Sequence, residues 1–190
     1  MVRGESVTGF TVFFTGLSGA GKSTIANSLA THLEQSGRAV SVLDGDIVRP
    51  YLASELGFSR EDRDVSVRRI GFVASEVTRC GGAVVCAVIA PYDETRQAVR
   101  RMIEELGGFL LVHVATPLAV CEARDPKGHY ARARAGRIKH FTGVSDPYEP
   151  PADAELVIDT STTPVGEAVN QILSALSHRG YAVAGVPVRR

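Results

Sequence analysis

The sequence predicts an α/β fold with a mostly parallel central sheet that helices cover on both faces. Segments that are apolar throughout alternate along the chain with segments whose apolar residues recur at the spacing of a helix. Apolar segments without alternation are typical of strands buried on both faces, as in a parallel sheet. The 190 residues suit one domain, and neither an internal repeat nor a low-complexity linker divides them. We therefore expect a single domain spanning residues 1–190.

The predicted elements follow one another in a regular order. Five apolar segments are the predicted strands: residues 10–15, 39–43, 83–89, 109–114 and 156–159. Four helices are predicted from apolar residues that share one face: Ile25, Ala26, Leu29, Ala30 and Leu33; Ile70, Val73, Ala74 and Val77; Val99, Met102, Ile103 and Leu106; Val165, Val169, Ile172 and Leu176. Gly37 and Gly180 are placed where the first and last of these helices should end. The tail, residues 178–190, has no clear period.

The composition is that of an ordinary folded protein. Hydrophobic residues make up 44% of the chain and charged residues 22%, which excludes a disordered or fibrous class. The 21 Lys and Arg residues balance the 21 Asp and Glu residues, so no whole-protein field favours nucleic acid or an anionic membrane. We expect a small-molecule substrate rather than either of these partners.

The cysteines and the N-terminus bear on the compartment. Cys80, Cys86 and Cys121 are too scattered for a zinc site and odd in number for a disulfide framework, so we predict buried free thiols in a reducing compartment. Residues 1–9 lack the apolar stretch of a signal peptide, and no window reaches the about 18 apolar residues of a membrane span. A cytoplasmic location is expected.

A glycine-rich segment between the first strand and the first helix carries the strongest functional signal. Residues 16–23 match the pattern G-x-x-x-x-G-K-[ST], in which glycines let successive backbone N–H groups turn toward phosphate oxygens. The helix that opens at Lys22 adds its partial positive charge. Lys22 is expected to reach the β and γ phosphates, and the Ser23 hydroxyl to ligate Mg²⁺. The predicted nucleotide-binding residues are Gly16, Ser18, Gly19, Ala20, Gly21, Lys22, Ser23 and Thr24. The fold is accordingly predicted to be the three-layer P-loop NTPase fold.

Acidic residues end the second predicted strand, at Asp44 and Asp46. The carboxyl ends of parallel strands gather at one edge, so both should lie near the glycine-rich loop. A carboxylate there can accept a proton from an attacking hydroxyl or help to hold Mg²⁺, although Asp-Gly-Asp alone favours a turn with a helix cap. Arg49 and Arg63 follow closely and suit an anionic acceptor.

A long basic segment, residues 124–151, breaks the strand–helix alternation. Its basic residues are Arg124, Lys127, Arg132, Arg134, Arg137 and Lys139, and several Gly and Pro residues interrupt it. A segment of this kind inside a compact domain is typical of a lid or binding loop. The alternative is a solvated charged helix face, and the phosphate loop upstream favours the lid.

Several motifs together resemble the adenylylsulfate kinase family, whose members phosphorylate the 3′-hydroxyl of adenosine 5′-phosphosulfate. The matching stretches are GLSGAGKST at 16–24, LDGD at 43–46 followed by Arg49, LGFS at 56–59 followed by Asp62 and Arg63, Arg68 with Arg69, IAPY at 89–92, and the whole of 115–151. The resemblance covers residues 10 to about 160, and the stretch at 115–151 is far more specific than the phosphate loop alone.

The resemblance implies ATP and Mg²⁺ as cofactors, a homodimer, and a role for each matching residue. Lys22, Asp46 and Asp44 would be catalytic, with Ser23 and Asp46 at the metal. Arg49 and Arg63 would hold the phosphosulfate, and Phe58 and Phe141 would clamp the acceptor adenine. The implied lid residues at the substrate are Lys139, Phe141 and Thr142; Arg124 and Asp125 would lie near the adenine of ATP; and Ser66 and Ile89 occupy further substrate positions.

Some positions depart from the family pattern, and all lie on the acceptor side. Ile47 and Ser66 replace asparagines, Val65 stands where an acid is common, Ala90 replaces serine, and Asp93 replaces a basic residue beside an anionic substrate. The main prediction is phosphorylation of adenosine 5′-phosphosulfate for sulfate activation. The alternatives are a related kinase with another nucleotide or small anionic acceptor, and a nucleotide-binding partner protein without activity.

Overall fold

The computed structural model describes residues 8–181, and both termini beyond them, including the predicted tail from 182 on, lie outside the described residues. The strands are Phe10–Thr15 (β1), Val40–Asp44 (β2), Ala83–Ala87 (β3), Gly108–Val114 (β4) and Leu156–Ile158 (β5). The helices are Lys22–Gln35 (α1), Gly45–Leu52 (α2), Arg60–Arg79 (α3), Asp93–Glu104 (α4), Leu118–Arg124 (α5), His129–Arg134 (α6) and Val165–His178 (α7).

The five strands form one parallel sheet in the order β2-β3-β1-β4-β5. β1 is central, and its Phe10 lies opposite Ala83 of β3 and Gly108 of β4. Because all strands run the same way, the segments that follow them meet at one edge of the sheet. The glycine-rich loop, Asp44 and the segments after β3, β4 and β5 therefore converge there.

The core has two apolar layers, one on each face of the sheet. Residues of α1 and α7 pack against Phe10, Val12 and Phe14 of β1. On the other face, residues of α3 and α4 pack against Phe13 together with β3 and β4. The alternation along β1 is that of a strand covered on both faces, so the predicted three-layer α/β fold is confirmed.

The structure contains three short helices that the sequence patterns did not predict: α2, α5 and α6. No residue of α2 is fully buried, although Val48 and Leu52 pack against the core, and α5 buries only Cys121, so each helix is too short to repeat an apolar pattern. α6 lies inside the segment predicted as a lid and has six residues. The third predicted helix included Leu106, which is too long. The observed helix, α4, ends at Glu104, before the half-exposed Leu106 and a pair of glycines.

The cysteine prediction was correct for two positions and wrong for one. All three thiols are free, and Cys86 and Cys121 are buried. Cys80 is exposed, because it ends α3 and lies in the turn before β3 rather than in the core. Within residues 8–181, no helix has both the length and the apolar character needed to cross a membrane.

Candidate active site

The glycine-rich loop forms a tight turn between β1 and α1. Gly16, Gly19 and Gly21 all have positive φ, which favours glycine. A Cβ on Gly16 would lie 2.4 Å from the Val114 carbonyl oxygen, so no side chain fits there. Gly21 is the N-cap of α1, and the first turn of that helix carries no acidic residue. The loop and the helix N-terminus together leave backbone N–H groups for an anion.

Lys22 is folded back onto this loop. Its Nζ donates hydrogen bonds to the carbonyl oxygens of Gly16, at 3.0 Å, and Leu17, at 2.7 Å. Burial lowers the pKa of Lys22 from 10.5 to about 8, against the opposite influence of the Asp44 and Asp46 carboxylates. Among residues 8–181 this cation has no ion-pair partner, and a bound triphosphate would provide one.

Asp44 and Asp46 occupy different positions. Asp44 is buried, accepts a hydrogen bond from Ser23 Oγ at 2.5 Å, and caps α2 by accepting one from Asp46 N at 2.9 Å. The helix cap considered from the sequence is therefore present, and it coexists with the contact to Ser23. The Asp46 carboxylate is exposed and forms an ion pair with Lys127. The carboxylate that touches Ser23 is thus Asp44 rather than Asp46.

One cavity of about 930 Å³ extends along the edge of the sheet, from the glycine-rich loop to Arg49, Phe58 and Arg63. Its lining includes most of the predicted site residues: Ser18, Gly19, Gly21, Lys22, Ser23, Thr24, Asp46, Arg49, Phe58, Arg63, Ser66, Ile89, Arg124, Phe141 and Thr142. A cavity of this size lies within the range of small-molecule and cofactor sites.

Five predicted residues do not line the cavity. Gly16 and Ala20 are buried in the loop itself, and Asp44 lies behind Ser23. The Asp125 carboxylate accepts hydrogen bonds from the backbone N of Tyr130 and Ala131, both near 3 Å, and so holds the start of α6. Lys139 is exposed.

Arginine and phenylalanine side chains form the end of the cavity away from the loop. Phe58 is 52% exposed, and the Arg49 and Arg63 guanidinium groups lie 4.3 and 5.6 Å from its ring centroid. Both arginines also donate to backbone carbonyls, and one of these bonds joins Arg63 to His140 of the basic segment at 2.5 Å. This end therefore offers two cations beside an open aromatic face.

The basic segment 124–151 forms part of the cavity wall. Tyr130 is buried, and its hydroxyl donates to the Ser18 carbonyl at 3.0 Å. Phe141, 8% exposed, packs edge-on against Tyr130 with ring centroids 5.0 Å apart. Thr142 is 1% exposed, and its hydroxyl has no hydrogen-bond partner among residues 8–181. A buried hydroxyl that lines a cavity without a partner is placed to bind a ligand.

Several lining residues were not predicted from the sequence. The basic segment adds Pro126, Lys127, His129 and Arg132, the loop after β5 adds Thr160, Thr163 and Pro164, and the start of α7 adds Val165. The loop after β5 could have been found by the strand-end argument that located Asp44, since β5 was predicted correctly. In the basic segment 124–151, Ile138 lines the cavity, whereas the sequence had predicted this position for its neighbour Lys139.

The positions that depart from the family pattern fall into two groups. Ser66 and Ala90 line the cavity. Ile47, 65% exposed, Val65, 38% exposed, and Asp93 do not. The Asp93 carboxylate lies 3.0 Å from the buried Arg96 guanidinium, which offsets the repulsion expected of a carboxylate near an anionic ligand.

The chain is similar to known proteins over most of its length. Residues 8–159 match the family model described as adenylylsulphate kinase. The adenylyl-sulfate kinase of Synechococcus sp. is 52% identical over 173 residues, which are 91% of this chain and 97% of that protein. The sulfate adenylyltransferase of Chaetomium globosum is 53% identical over 177 residues, or 93% of this chain. The match spans only 31% of the length of that fungal relative.

Two solved structures have the same fold. The Mycobacterium tuberculosis APS kinase CysC, in complex with AMPPNP and APS, is 40% identical with a TM-score of 0.86, over 89% of this chain and 98% of that one. A hexameric APS kinase from Thiobacillus denitrificans is 51% identical with a TM-score of 0.73, over 93% of this chain and 30% of that one.

Proposed function

The chain belongs to the adenylylsulphate kinase family, and from this premise we propose that it transfers the γ-phosphoryl group of ATP to the 3′-hydroxyl of adenosine 5′-phosphosulfate. The products are ADP and 3′-phosphoadenylylsulfate. The observation that carries the proposal is a continuous cavity with the phosphate loop at one end and Arg49, Phe58 and Arg63 at the other. The complex of the M. tuberculosis relative with AMPPNP and APS supports the same pair of ligands.

ATP is assigned to the end that the phosphate loop forms. Backbone N–H groups of the loop bind the phosphate oxygens, and Lys22 exchanges its two carbonyl partners for the β and γ phosphates. The adenine base of ATP would lie toward Arg124 and the loop after β5. Thr163 and Pro164 of that loop line this end of the cavity. Asp125 supports this end indirectly, by holding the start of α6.

The donor set near Ser23 fits Mg²⁺. A hydroxyl and a carboxylate, from Ser23 and Asp44, already lie in contact, and Mg²⁺ prefers such oxygen ligands together with water and phosphate oxygens. We assign the ion to the Ser23 hydroxyl. Asp44 is the carboxylate in contact with that hydroxyl, and Asp46 lies two residues further on, in the first turn of α2. When bound, the ion neutralises charge on the transferring phosphoryl group.

The acceptor is assigned to the opposite end. Arg49 and Arg63 supply cationic forks for the phosphosulfate, and Phe58 offers an open ring to the adenine while Phe141 forms the covered side. Thr142 donates its free hydroxyl to the acceptor. Ser66 and Ile89 complete the wall.

The transfer step needs little covalent chemistry from the protein. The acceptor 3′-oxygen attacks the γ-phosphorus, the bond to the β–γ bridging oxygen breaks, and ADP leaves. The acceptor proton passes to the Asp46 carboxylate, which Lys127 holds at the cavity wall. Segment 124–151, as a lid, excludes water, which would otherwise compete as phosphoryl acceptor.

A different acceptor is the second candidate, because two departures from the family pattern lie in the cavity wall. Ala90 cannot donate the hydrogen bond that a serine would, and Ser66 reaches less far than an asparagine. Each lost hydrogen bond is worth about 0.5–1.5 kcal/mol. A loss of this size weakens the binding of adenosine 5′-phosphosulfate but does not exclude it.

ADP release with adenosine 5′-phosphosulfate, beside a panel of nucleotides and sugar phosphates, tests both candidates. We expect clear preference for adenosine 5′-phosphosulfate and none of this activity in Lys22→Ala. Preference for another member of the panel would replace the acceptor and leave the kinase assignment intact. ATP binding without turnover on any acceptor would favour the non-catalytic alternative.

We further propose that the protein acts in sulfate assimilation in the cytoplasm as a homodimer. The family supports the pathway, and the T. denitrificans relative shows that higher assemblies occur among its relatives. Mass measurement of the protein in solution tests the dimer directly.

A further inference from the structure

Two threonine hydroxyls lie under the phosphate loop and have no role in the function proposed above. Thr116 follows β4 and Thr160 follows β5. Val114 and Ile158 are partners in the sheet register, so the two threonines continue side by side beyond the strands. Their hydroxyl oxygens are 2.9 Å apart.

Both hydroxyls approach one carbonyl oxygen of the loop. The Ala20 carbonyl accepts from Thr160 Oγ1 at 2.8 Å and from Thr116 Oγ1 at 3.0 Å. A carbonyl oxygen has two lone pairs, so it can accept both bonds at once. Ala20 is completely buried, and without these donors its carbonyl would lack a partner away from water.

The other contacts of each hydroxyl oxygen restrict where its hydrogen can point. Arg124 Nη1 donates to Thr160 Oγ1 at 2.7 Å, and Thr160 N donates to Thr116 Oγ1 at 3.2 Å. Neither donor can act as an acceptor, so each hydroxyl directs its own hydrogen either to Ala20 O or to the other threonine hydroxyl, and at least one of the two donates to Ala20 O. Ala20 O is the acceptor within reach of both, which gives a chain of bonds from Arg124 through Thr160 to the loop.

The orientation of the Ala20 carbonyl fixes that of the next N–H group. In a planar trans peptide the C=O and N–H bonds point in opposite directions. A carbonyl held toward the two threonines therefore directs the Gly21 N–H away from them, and Gly21 lines the cavity. A Cβ on Gly21 would lie 3.1 Å from Thr160 Cγ2, which shows how closely the threonine supports this peptide.

We propose that Thr116 and Thr160 are positioning residues that hold the Ala20–Gly21 peptide with its N–H toward the nucleotide phosphates. Through Arg124, which also donates to the Gly19 carbonyl at 3.3 Å, the pair couples the base end of the ATP site to the phosphate loop. The inference rests on the proposed binding of a nucleotide at this loop, but not on the identity of the acceptor.

Calorimetric titration with MgADP tests the proposal without using the acceptor. Thr160→Val and Thr116→Val each remove one donor at almost constant volume, and each should weaken ADP binding about 3- to 10-fold. The double variant leaves the carbonyl without a donor, so its loss should exceed the product of the single losses. Thr160→Ser and Thr116→Ser keep the hydroxyl and should bind within about twofold of wild type.

The chain contains a matched control. Thr11 and Thr78 form another buried hydroxyl pair, 2.8 Å apart, on the far side of the core. Thr78→Val should lower the melting temperature of the nucleotide-free protein by as much as the site variants do, with ADP affinity unchanged. Should the double variant not fold, the single variants and their serine rescue decide the question.

Single and double valine variants that bind ADP as wild type does would overturn the proposal. Equal weakening by Thr78→Val would also overturn it, since general destabilisation would then explain the effect. Wild-type protein that binds ADP but does not phosphorylate adenosine 5′-phosphosulfate would refute the acceptor alone. Absence of ADP binding by wild type would refute both.

Discussion

The Ser23 hydroxyl donates a hydrogen bond to Asp44 Oδ2 across 2.5 Å, which joins the first turn of α1 to the end of β2. The same carboxylate caps α2 through Asp46 N, so one buried side chain fixes the start of two helices. The helix that follows the glycine-rich loop and the helix that carries Asp46 are thereby held in a fixed relation.

Asp44→Asn should reduce turnover more than stability. The amide keeps an oxygen that can accept from Asp46 N, so the cap survives, but the charge beside Ser23 is lost. We expect kcat to fall about 100-fold or more and half-maximal activity to require more Mg²⁺. Initial rates across a magnesium titration give both quantities.

Asp153→Asn is the matched control for Asp44→Asn. Asp153 is a surface carboxylate that contacts Gln97 and Arg100, away from the phosphate loop. Its replacement should leave the magnesium dependence unchanged. An Asp44→Asn protein with wild-type kcat and magnesium requirement would show that Asp44 serves only as a helix cap.

ATP binding should be coupled to proton uptake through Lys22. In the nucleotide-free protein burial lowers the pKa of Lys22 to about 8, so at pH 9 most of the side chain is neutral. A triphosphate beside Nζ raises that pKa again, so the complex binds a proton that the free protein lacks. Affinity should therefore fall as pH rises above 8, by up to about tenfold per pH unit.

Calorimetry at pH 9 in buffers of different ionisation enthalpy measures this uptake, which should approach one proton per ATP. Lys22→Arg is the control, because its guanidinium stays protonated and binding should involve no proton uptake. Equal uptake in wild type and Lys22→Arg would assign the proton to another group.

Thr142→Val should affect stability and substrate binding in opposite directions. The buried hydroxyl has no partner among residues 8–181, so replacing it with a methyl group should stabilise the free protein by about 1 kcal/mol. The KM for the acceptor should rise about 2- to 10-fold because its hydrogen bond is lost, while the KM for ATP should not change.

Thr95→Val provides the comparison for Thr142→Val. Thr95 is equally buried, but its hydroxyl donates to Asp64, so its loss should destabilise the protein. Melting curves and acceptor kinetics separate the two cases. A Thr142→Val protein that is less stable than wild type would mean that the hydroxyl is already satisfied in the free protein.

The sequence predicted the sheet, the four long helices and the phosphate loop because each has a strong local signal. Phe10–Thr15 was located to the residue, since a buried strand that ends at a glycine-rich turn is apolar throughout. α2 was missed because its 8 residues place only Val48 and Leu52 against the core, which is too few to establish a helical period. Cys80 was misplaced because composition cannot distinguish a core position from a turn that follows a helix.

The side-chain contacts within the site could not be predicted, because they join residues that are far apart in the sequence and have no common spacing. Lys127 pairs with Asp46 across 81 positions of the chain, and no sequence pattern relates them. Asp125 was predicted to lie near the adenine of ATP, and its contacts with the start of α6 could not be read from spacing. The threonines beneath Ala20 were not identified because single hydroxyl residues after strands carry no motif.

Phe58 and Phe141 should respond differently to truncation, although both are proposed to contact the acceptor adenine. Phe58 is 52% exposed, so Phe58→Ala should change the free energy of unfolding by less than about 1 kcal/mol, while the KM for the acceptor rises about 10-fold through lost stacking. Phe141 is 8% exposed and packs on Tyr130, so Phe141→Ala should cost about 3–5 kcal/mol of stability as well. Denaturant unfolding and acceptor kinetics on both variants make the comparison, with Phe72→Ala as control, since Phe72 is 58% exposed on α3 and does not line the cavity. If Phe58→Ala and Phe72→Ala gave the same acceptor KM as wild type, the adenine would not stack on Phe58, and Arg49 and Arg63 would have to hold the acceptor by charge alone.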